Sequence, residues 1–246
     1  MPKRSSLPEF TPPVVWIVGA SRGIGSELAR AFASIGCRTC LTSRDRRRLS
    51  ALAGEITARG GSAMVAPADI TVPGQVRSCA RQIRRAWGDV DVLINNAGIT
   101  VFKTLLETSP SEVEAIIGTN LLGQVACIKS VLPSMVARRR GWICNILSNA
   151  AIKTFEGSAV YTAAKQGMLG LGRVLREELK TYGVKVVNVI PGATLTGMWS
   201  PAMRRRYGSR MLRAKDVAET VLALYRLPAD VVVDEIVIRP MKGDLS

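Results

Sequence analysis

A tyrosine, a lysine, a serine and an asparagine carry most of the acid–base chemistry that this 246-residue chain can offer. Tyr161 and Lys165 stand in the string Tyr161-Thr162-Ala163-Ala164-Lys165, a spacing that places both on one face of a helix. A free phenol titrates at about 10 and is a poor proton donor or acceptor at neutral pH, but a neighbouring ammonium stabilises the phenolate and lowers that value. Each unit of lowering corresponds to about 1.4 kcal/mol. Ser148 and Asn120 lie upstream of this pair. Histidine is absent from the chain, which removes Ser-His-Asp triads, Cys-His pairs, HExxH zinc sites and imidazole proton shuttles. Proton transfer therefore falls to Tyr, Lys, Asp, Glu or Cys.

A second constellation concerns anions. Directly after the apolar run Val14–Val18 comes Gly19-Ala20-Ser21-Arg22-Gly23-Ile24-Gly25, which opens a helix-period segment. Glycines there let the backbone turn tightly and bring a pyrophosphate close to the unpaired N–H groups of the helix, whose dipole favours an anion. The spacing is G-x3-G-x-G, which departs from the G-x-G-x-x-G dinucleotide signature. The same residues fit the G-x-S-x-G nucleophile elbow with Ser21 as nucleophile. With no histidine to take its proton that reading fails, and Ser21 serves better as a hydroxyl donor to a phosphate. At the end of the second apolar run stand Ser43 and Arg44, where dinucleotide folds place either a carboxylate for the ribose hydroxyls or a basic residue for a 2′-phosphate. Arg44, with Arg22 approaching the same phosphate, favours NADP over NAD. The cations Arg44 and Arg46–Arg48 are poorly placed at a helix N-terminus unless an anion sits there.

Other features narrow the class. Cys37-x2-Cys40 has redox or metal spacing, yet Cys40 falls in an expected strand, where residues three apart point to opposite faces, and no second Cys pair completes a zinc site. No metal is expected. Five cysteines and the lack of a charged-then-apolar leader fit a reducing cytoplasm. No uninterrupted apolar run reaches the length of a membrane span. Thirty-four Lys+Arg against nineteen Asp+Glu give +15, which suits phosphate-bearing partners. Aromatic content of 5% and basic residues spread over many segments argue against a nucleic-acid binder.

The elements that must position these groups alternate. Apolar runs at 14–18, 39–42, 63–68, 90–95, 142–147, 184–190 and 231–238 read as seven strands. Helical segments are expected at 23–36, 45–59, 73–87, 110–137, 158–182 and 214–227, with Gly36, Gly60 and Gly183 at element ends. Continuous apolar runs suit a parallel sheet covered on both faces, so an α/β, single-domain, doubly wound seven-stranded Rossmann fold is expected over residues 14–246. Residues 1–13, rich in proline, read as a flexible leader. The irregular stretch 194–213 lies at the carboxyl edge of the sheet and reads as a substrate-binding lid.

With Asn95-Asn96-Ala97-Gly98 closing the fourth strand, the ordered set of glycine loop, Asn-Asn-Ala-Gly, Ser148 and Tyr161-x3-Lys165 resembles the short-chain dehydrogenase/reductase family from Val14 to the C-terminus. The resemblance implies that Tyr161 is the general acid or base, that Ser148 hydrogen-bonds the reacting oxygen, that Lys165 lowers the phenol and grips the nicotinamide ribose, and that Asn120 supports a water-linked proton relay. It implies further that Gly19, Ser21, Arg22, Gly23, Ile24, Gly25 and Arg44 bind the phosphates of NADP(H). Asp69 and Ile70 would contact adenine, a role preferred for Asp69 over that of an ordinary strand-end helix cap because it lies at the sheet's carboxyl edge. Asn96, Ala97 and Gly98 would line the riboses, and Pro191, Gly192, Thr194 and Thr196 the nicotinamide carboxamide. Val18 and Leu147 stand where family members usually carry hydroxyl residues. The C-terminal Leu227-Pro228-Ala229-Asp230 and Arg239-Pro240-Met241 resemble the subgroup acting on small 3-hydroxy or 3-oxo acids and related alcohols, with 3-oxoacyl-carrier-protein reductases as the alternative. Arg204, Arg205, Arg206, Arg210 and Arg213 give the lid a cationic character. A non-catalytic NADP(H) sensor is the rival of another class. A homotetramer, or a dimer, is expected through the two long helices.

Overall fold

The computed structural model describes residues 11–243, so the expected leader lies, over residues 1–10, outside the described residues. From β1 (Val14–Val18) the chain alternates through α1 (Ile24–Ser34), β2 (Arg38–Thr42), α2 (Arg46–Ala58), β3 (Ser62–Val65) and α3 (Pro73–Trp87). It continues through β4 (Val92–Asn95), α4 (Pro110–Ile117), α5 (Gly123–Ala137), β5 (Gly141–Ile146) and α6 (Ala159–Leu179). The last part holds β6 (Val184–Pro191), β7 (Thr194–Leu195), α7 (Pro201–Tyr207), β8 (Leu212–Arg213), α8 (Ala214–Tyr225) and β9 (Glu235–Ile238).

Seven of these strands form one parallel sheet in the order β3-β2-β1-β4-β5-β6-β9. The order reverses between β1 and β4, and in doubly wound sheets that switch point opens the crevice where ligands bind. Alternation along β1 explains its unbroken apolar run. Val14, Trp16 and Val18 enter the core beneath α3, α5 and α6, whereas Val15 and Ile17 enter the core beneath α1, α2 and α8. Phe32, Trp142 and Tyr225 meet ring to ring in the second core and fix α1 and α8 against the sheet. Cys37 and Cys40 fall in opposite cores, both buried, so the CxxC string brings no thiol pair together.

Three expectations change at the element level. The third and last strands are shorter than their apolar runs, at 62–65 and 235–238. The stretch 194–213 is not merely irregular: β7 and β8 pair as a two-stranded parallel ladder that clamps its base, with α7 between them. The helix expected at 110–137 changes pitch midway, because a π-helical turn, Gly118–Leu122, separates α4 from α5. The span Pro110–Ala137 is long and apolar enough to cross a membrane by length and composition, although charged and polar residues interrupt its apolar run. In the fold it packs on the sheet, burying Cys127, Ile128, Val131 and Met135.

Candidate active site

Ser148 follows β5 at the carboxyl edge of the sheet and starts a single 3-10 turn, its Oγ accepting from Ala150 N at 3.2 Å. Tyr161 sits in the first turn of α6, buried, and its hydroxyl is hydrogen-bonded with the Ser148 side chain. Lys165 follows one turn later with 2% of its surface exposed, and its Nζ donates to Ile146 O at 3.0 Å. That nitrogen lies 5.8 Å from the centroid of the Tyr161 ring.

The electrostatics differ from the sequence expectation. Burial pushes the Tyr161 phenol above its ordinary value, and the Ser148 hydrogen bond offsets only part of that rise. The expected lowering by Lys165 is absent here, since the amine lies over the ring and is engaged with Ile146 O. Burial acts on the amine as well, holding Lys165 down at about 8. A protonated phenol in a dry pocket is suited to donating a proton.

Asn120 lies inside the π-helical turn and is fully buried. Its Oδ1 accepts from Ile99 N at 3.0 Å and its Nδ2 donates to Ile99 O at 2.7 Å. The side chain thus clamps the segment after β4, and a water relay at this position would have to draw on main-chain groups that the π turn releases from the helical ladder. A Cβ at Gly98 would lie 2.8 Å from Asn120 Oδ1 and 3.8 Å from Lys165 Nζ, which brings Gly98, Asn120 and Lys165 together. Gln124, missed in the sequence, is buried one turn beyond Asn120 and donates from Nε2 to Ala97 O at 2.6 Å. The i+4 spacing from Asn120 is the only signal that pointed to it.

The glycine loop meets the same edge. Gly19 and Gly23 adopt φ of +88° and +59°, values open chiefly to glycine. A Cβ at Gly19 would lie 2.6 Å from Ala97 N, and one at Gly25 would lie 2.6 Å from Asn96 Nδ2. Asn96 Nδ2 in turn donates to Gly19 O at 2.9 Å and ties β4 to the loop. Ile24 packs on the second core, while Ser21 is half-buried. No side chain caps α1, so its first-turn N–H groups face the loop without a side-chain acceptor. Thr196 and Gly197 reach over this turn, since a Cβ at Gly23 would lie 3.0 Å from Thr196 Cγ2 and one at Gly197 3.5 Å from Arg22 Nη1.

At the end of β2 the charge pattern is selective. Asp45 Oδ1 accepts from Arg48 N at 3.0 Å and caps α2, and its other oxygen pairs with the Arg48 guanidinium at 3.2 Å. Its carboxylate is therefore committed to the helix, while Arg44 is exposed, as is Arg22 in the glycine loop. Asp69 caps no helix, since α3 begins after Val72 without a side-chain cap, and it folds instead on its own turn: its Oδ1 accepts from Thr71 N at 2.9 Å and Thr71 Oγ1 at 2.7 Å. The Thr71 hydroxyl above all, with Arg44 nearby, holds Asp69 below the usual carboxylate range. Ile70 is buried and presses on the π turn at Gly123. Uncapped helix N–H groups, glycine turns and the exposed Arg22 and Arg44 fit a dinucleotide bearing an extra phosphate. Among the described residues no group of three Cys, Asp or Glu side chains is placed to hold a metal.

The remaining expected positions form the opposite wall. Pro191 ends β6, and Gly192 N, just beyond it, donates to Ile238 O at 2.8 Å. Thr194 is buried, its Oγ1 donating to Gly192 O at 2.9 Å. Thr196 Oγ1 accepts from Met198 N at 3.3 Å. Of the lid cations, Arg213 pairs with Asp216 at 2.6 Å, Arg206 lies over the Tyr207 ring, and Arg204 and Arg205 are exposed.

The family model described as short chain dehydrogenase matches residues 13–206. A ketoacyl reductase of Nostoc sp. is 36% identical over 190 residues, 77% of this chain and 66% of that protein. The sepiapterin reductase of Chlorobaculum tepidum is 30% identical over 240 residues, 95% of this chain and 98% of that protein. A metagenomic short-chain oxidoreductase solved in complex with NADP superposes with a TM-score of 0.83 at 34% identity, covering 93% of this chain and 97% of that one.

Proposed function

The chain belongs to the short-chain dehydrogenase family, and from that premise we propose that this oxidoreductase interconverts a carbonyl and a secondary alcohol with NADP(H), Tyr161 acting as general acid or base. The observation that carries this reading is the buried Ser148–Tyr161 hydrogen bond, with Lys165 one turn away, at the sheet edge shared with the uncapped glycine loop.

Gly19, Ser21, Arg22, Gly23, Ile24 and Gly25 would hold the pyrophosphate, and Arg22 with Arg44 the 2′-phosphate. Asn96, Ala97, Gly98 and Lys165 would meet the riboses, Asp69 and Ile70 the adenine, and Pro191, Gly192, Thr194 and Thr196 the carboxamide. The nicotinamide, when bound, supplies or accepts the hydride at the carbonyl carbon. Ser148 orients the carbonyl oxygen by donating a hydrogen bond. Tyr161 then delivers its proton to that oxygen, so one hydride and one proton give the alcohol. Because burial raises the phenol, reduction finds its donor loaded at neutral pH, and oxidation gains as rising pH empties it. The 194–213 segment excludes water from this step.

Small 3-hydroxy or 3-oxo acids and related alcohols are the first substrates to test. Reduction of a 3-oxoacyl carrier thioester is the second reading, favoured by the exposed Arg204 and Arg205 on α7 and by the likeness to a ketoacyl reductase. A non-catalytic sensor would need no set of Asn120, Ser148, Tyr161 and Lys165. Tyr161→Phe is expected to lower kcat at least about a hundredfold while NADPH affinity, read by fluorescence titration, stays near that of the parent. Near-parental turnover would defeat the mechanism. Arg44→Ala is expected to weaken NADPH by about tenfold or more and NADH little, in the same titration.

A further inference from the structure

The mouth of the site carries apolar surface that the fold leaves uncovered. Phe102, from the segment after β4, is 54% exposed, and Ile152, Phe155 and Met198 from two other segments are also exposed. The first two of these segments converge on the phenol. Ile99 and Val101 pack in one apolar cluster with Tyr161 and Ala150, and Lys103 N donates to Gly157 O at 2.9 Å. Phe102 and Trp199 close the gap between the walls as a stacked pair, centroids 5.4 Å apart and planes 15° from parallel. Trp199 is held in place by its own indole, which donates to Thr194 O at 3.0 Å. The cation next to Phe102 is engaged elsewhere, with Lys103 Nζ 2.6 Å from Glu112.

We propose that Phe102 and Trp199 form an aromatic clamp that selects carbonyl substrates whose non-reacting end is flat, apolar and uncharged, in preference to short free oxo acids. This rests on the carbonyl–alcohol reading above and names the substrates within it. A planar group entering the mouth displaces or extends the stack, gaining about 0.5–1.5 kcal/mol of ring pairing beyond the burial of its area. A free carboxylate in the same place is stripped of water beside apolar rings, with the Lys103 ammonium already paired. The clamp thus acts on a non-reacting group beside the carbonyl, where binding energy can orient the reacting carbonyl.

The test compares ethyl benzoylacetate with acetoacetate under NADPH, and titrates ethyl benzoylacetate into cofactor-free protein while following tryptophan emission. The aryl ester is expected to have a kcat/KM about tenfold higher or more, with the ratio collapsing through KM in Trp199→Ala and largely retained in Trp199→Phe. The titration is expected to quench emission in the parent protein and to lose most of that quench in Trp199→Phe, which keeps Trp16, Trp87 and Trp142. Equal kcat/KM for the two compounds, or a ratio unmoved by Trp199→Ala, overturns the clamp. If neither compound is turned over, the oxidoreductase reading fails. The titration still judges the clamp then, a quench at Trp199 supporting it and none overturning it.

Discussion

At the scale of single residues, the decisive tension is between burial and charge at Lys165. The amine is enclosed, drops to about 8, and has one acceptor, Ile146 O. Its ordinary value is 10.5. Below about 8 both folded and unfolded chains carry the charge, and folding bears the full desolvation penalty. Between about 8 and 10.5 the folded amine is neutral while the unfolded one still binds a proton, so that penalty fades as pH rises. The difference corresponds to about 3 kcal/mol as an upper figure. Lys165→Met removes the titration and leaves Ile146 O without its donor, a loss of about 1–3 kcal/mol. The expected outcome is that urea-unfolding stability of the parent rises relative to Lys165→Met between pH 8 and pH 10, and that the variant binds NADPH more weakly. Parallel pH profiles would show that the folded amine is not depressed. The residue types at this site were legible from spacing alone, because one helical turn links Tyr161 to Lys165. The direction of the phenol's shift was not, because it depends on how completely α6 seals the pocket and on where Nζ finds an acceptor.

At the scale of elements, close approach of α6 to the sheet sets where that turn sits. Asn95, Asn145 and Asn188 lie in register on β4, β5 and β6 and form a buried ladder, each amide donating to the next at 3.1 Å. Asn188 Nδ2 ends the ladder on Leu169 O of α6 at 3.4 Å. A Cβ at Gly172 would collide with Asn188 Oδ1 and lie 2.7 Å from Asn188 Nδ2, so only glycine lets α6 rest here. Gly172→Ala gains up to about 1 kcal/mol of helix propensity. It also forces the helix off a side chain that hydrogen bonds hold, an overpacking penalty of about 1–3 kcal/mol. The expected net result is a melting temperature lowered by several degrees and reduced turnover, since Tyr161 and Lys165 ride on the displaced helix. An unchanged melting curve would mean that the amide ladder yields. The strands were readable because sheets covered on both faces produce unbroken apolar runs. The π turn was not, since two bonds from Asn120 to Ile99, remote in sequence, stabilise it. The Phe102–Trp199 stack escaped for the same reason: two loops meet through tertiary structure that no local pattern encodes.

At the scale of the whole molecule, the π turn and α6 leave apolar surface outward although the inner faces of α5 and α6 are spent on the core. Leu122 is 61% exposed at the π turn and Val174 56% exposed on α6, where a Cβ at Gly170 would meet nothing within 4 Å. Surface of this kind at the π turn and on α6, in a chain whose +15 charge keeps copies apart unless apolar contact offsets it, argues for self-association through these faces. We propose a homotetramer built this way. Val174→Arg places a charge in the centre of such a contact, where an unpaired ion loses its water. Light scattering is expected to give a four-chain mass for the parent and a smaller assembly for Val174→Arg, with the circular dichroism spectrum preserved because residue 174 faces away from the core. A parent that elutes as a single chain across the micromolar range would remove the argument. A tetramer indifferent to the substitution would move the contact elsewhere on the surface. Rising salt screens the repulsion between copies, so the smaller assembly is expected to regain mass at high ionic strength if the apolar face is the one that joins them.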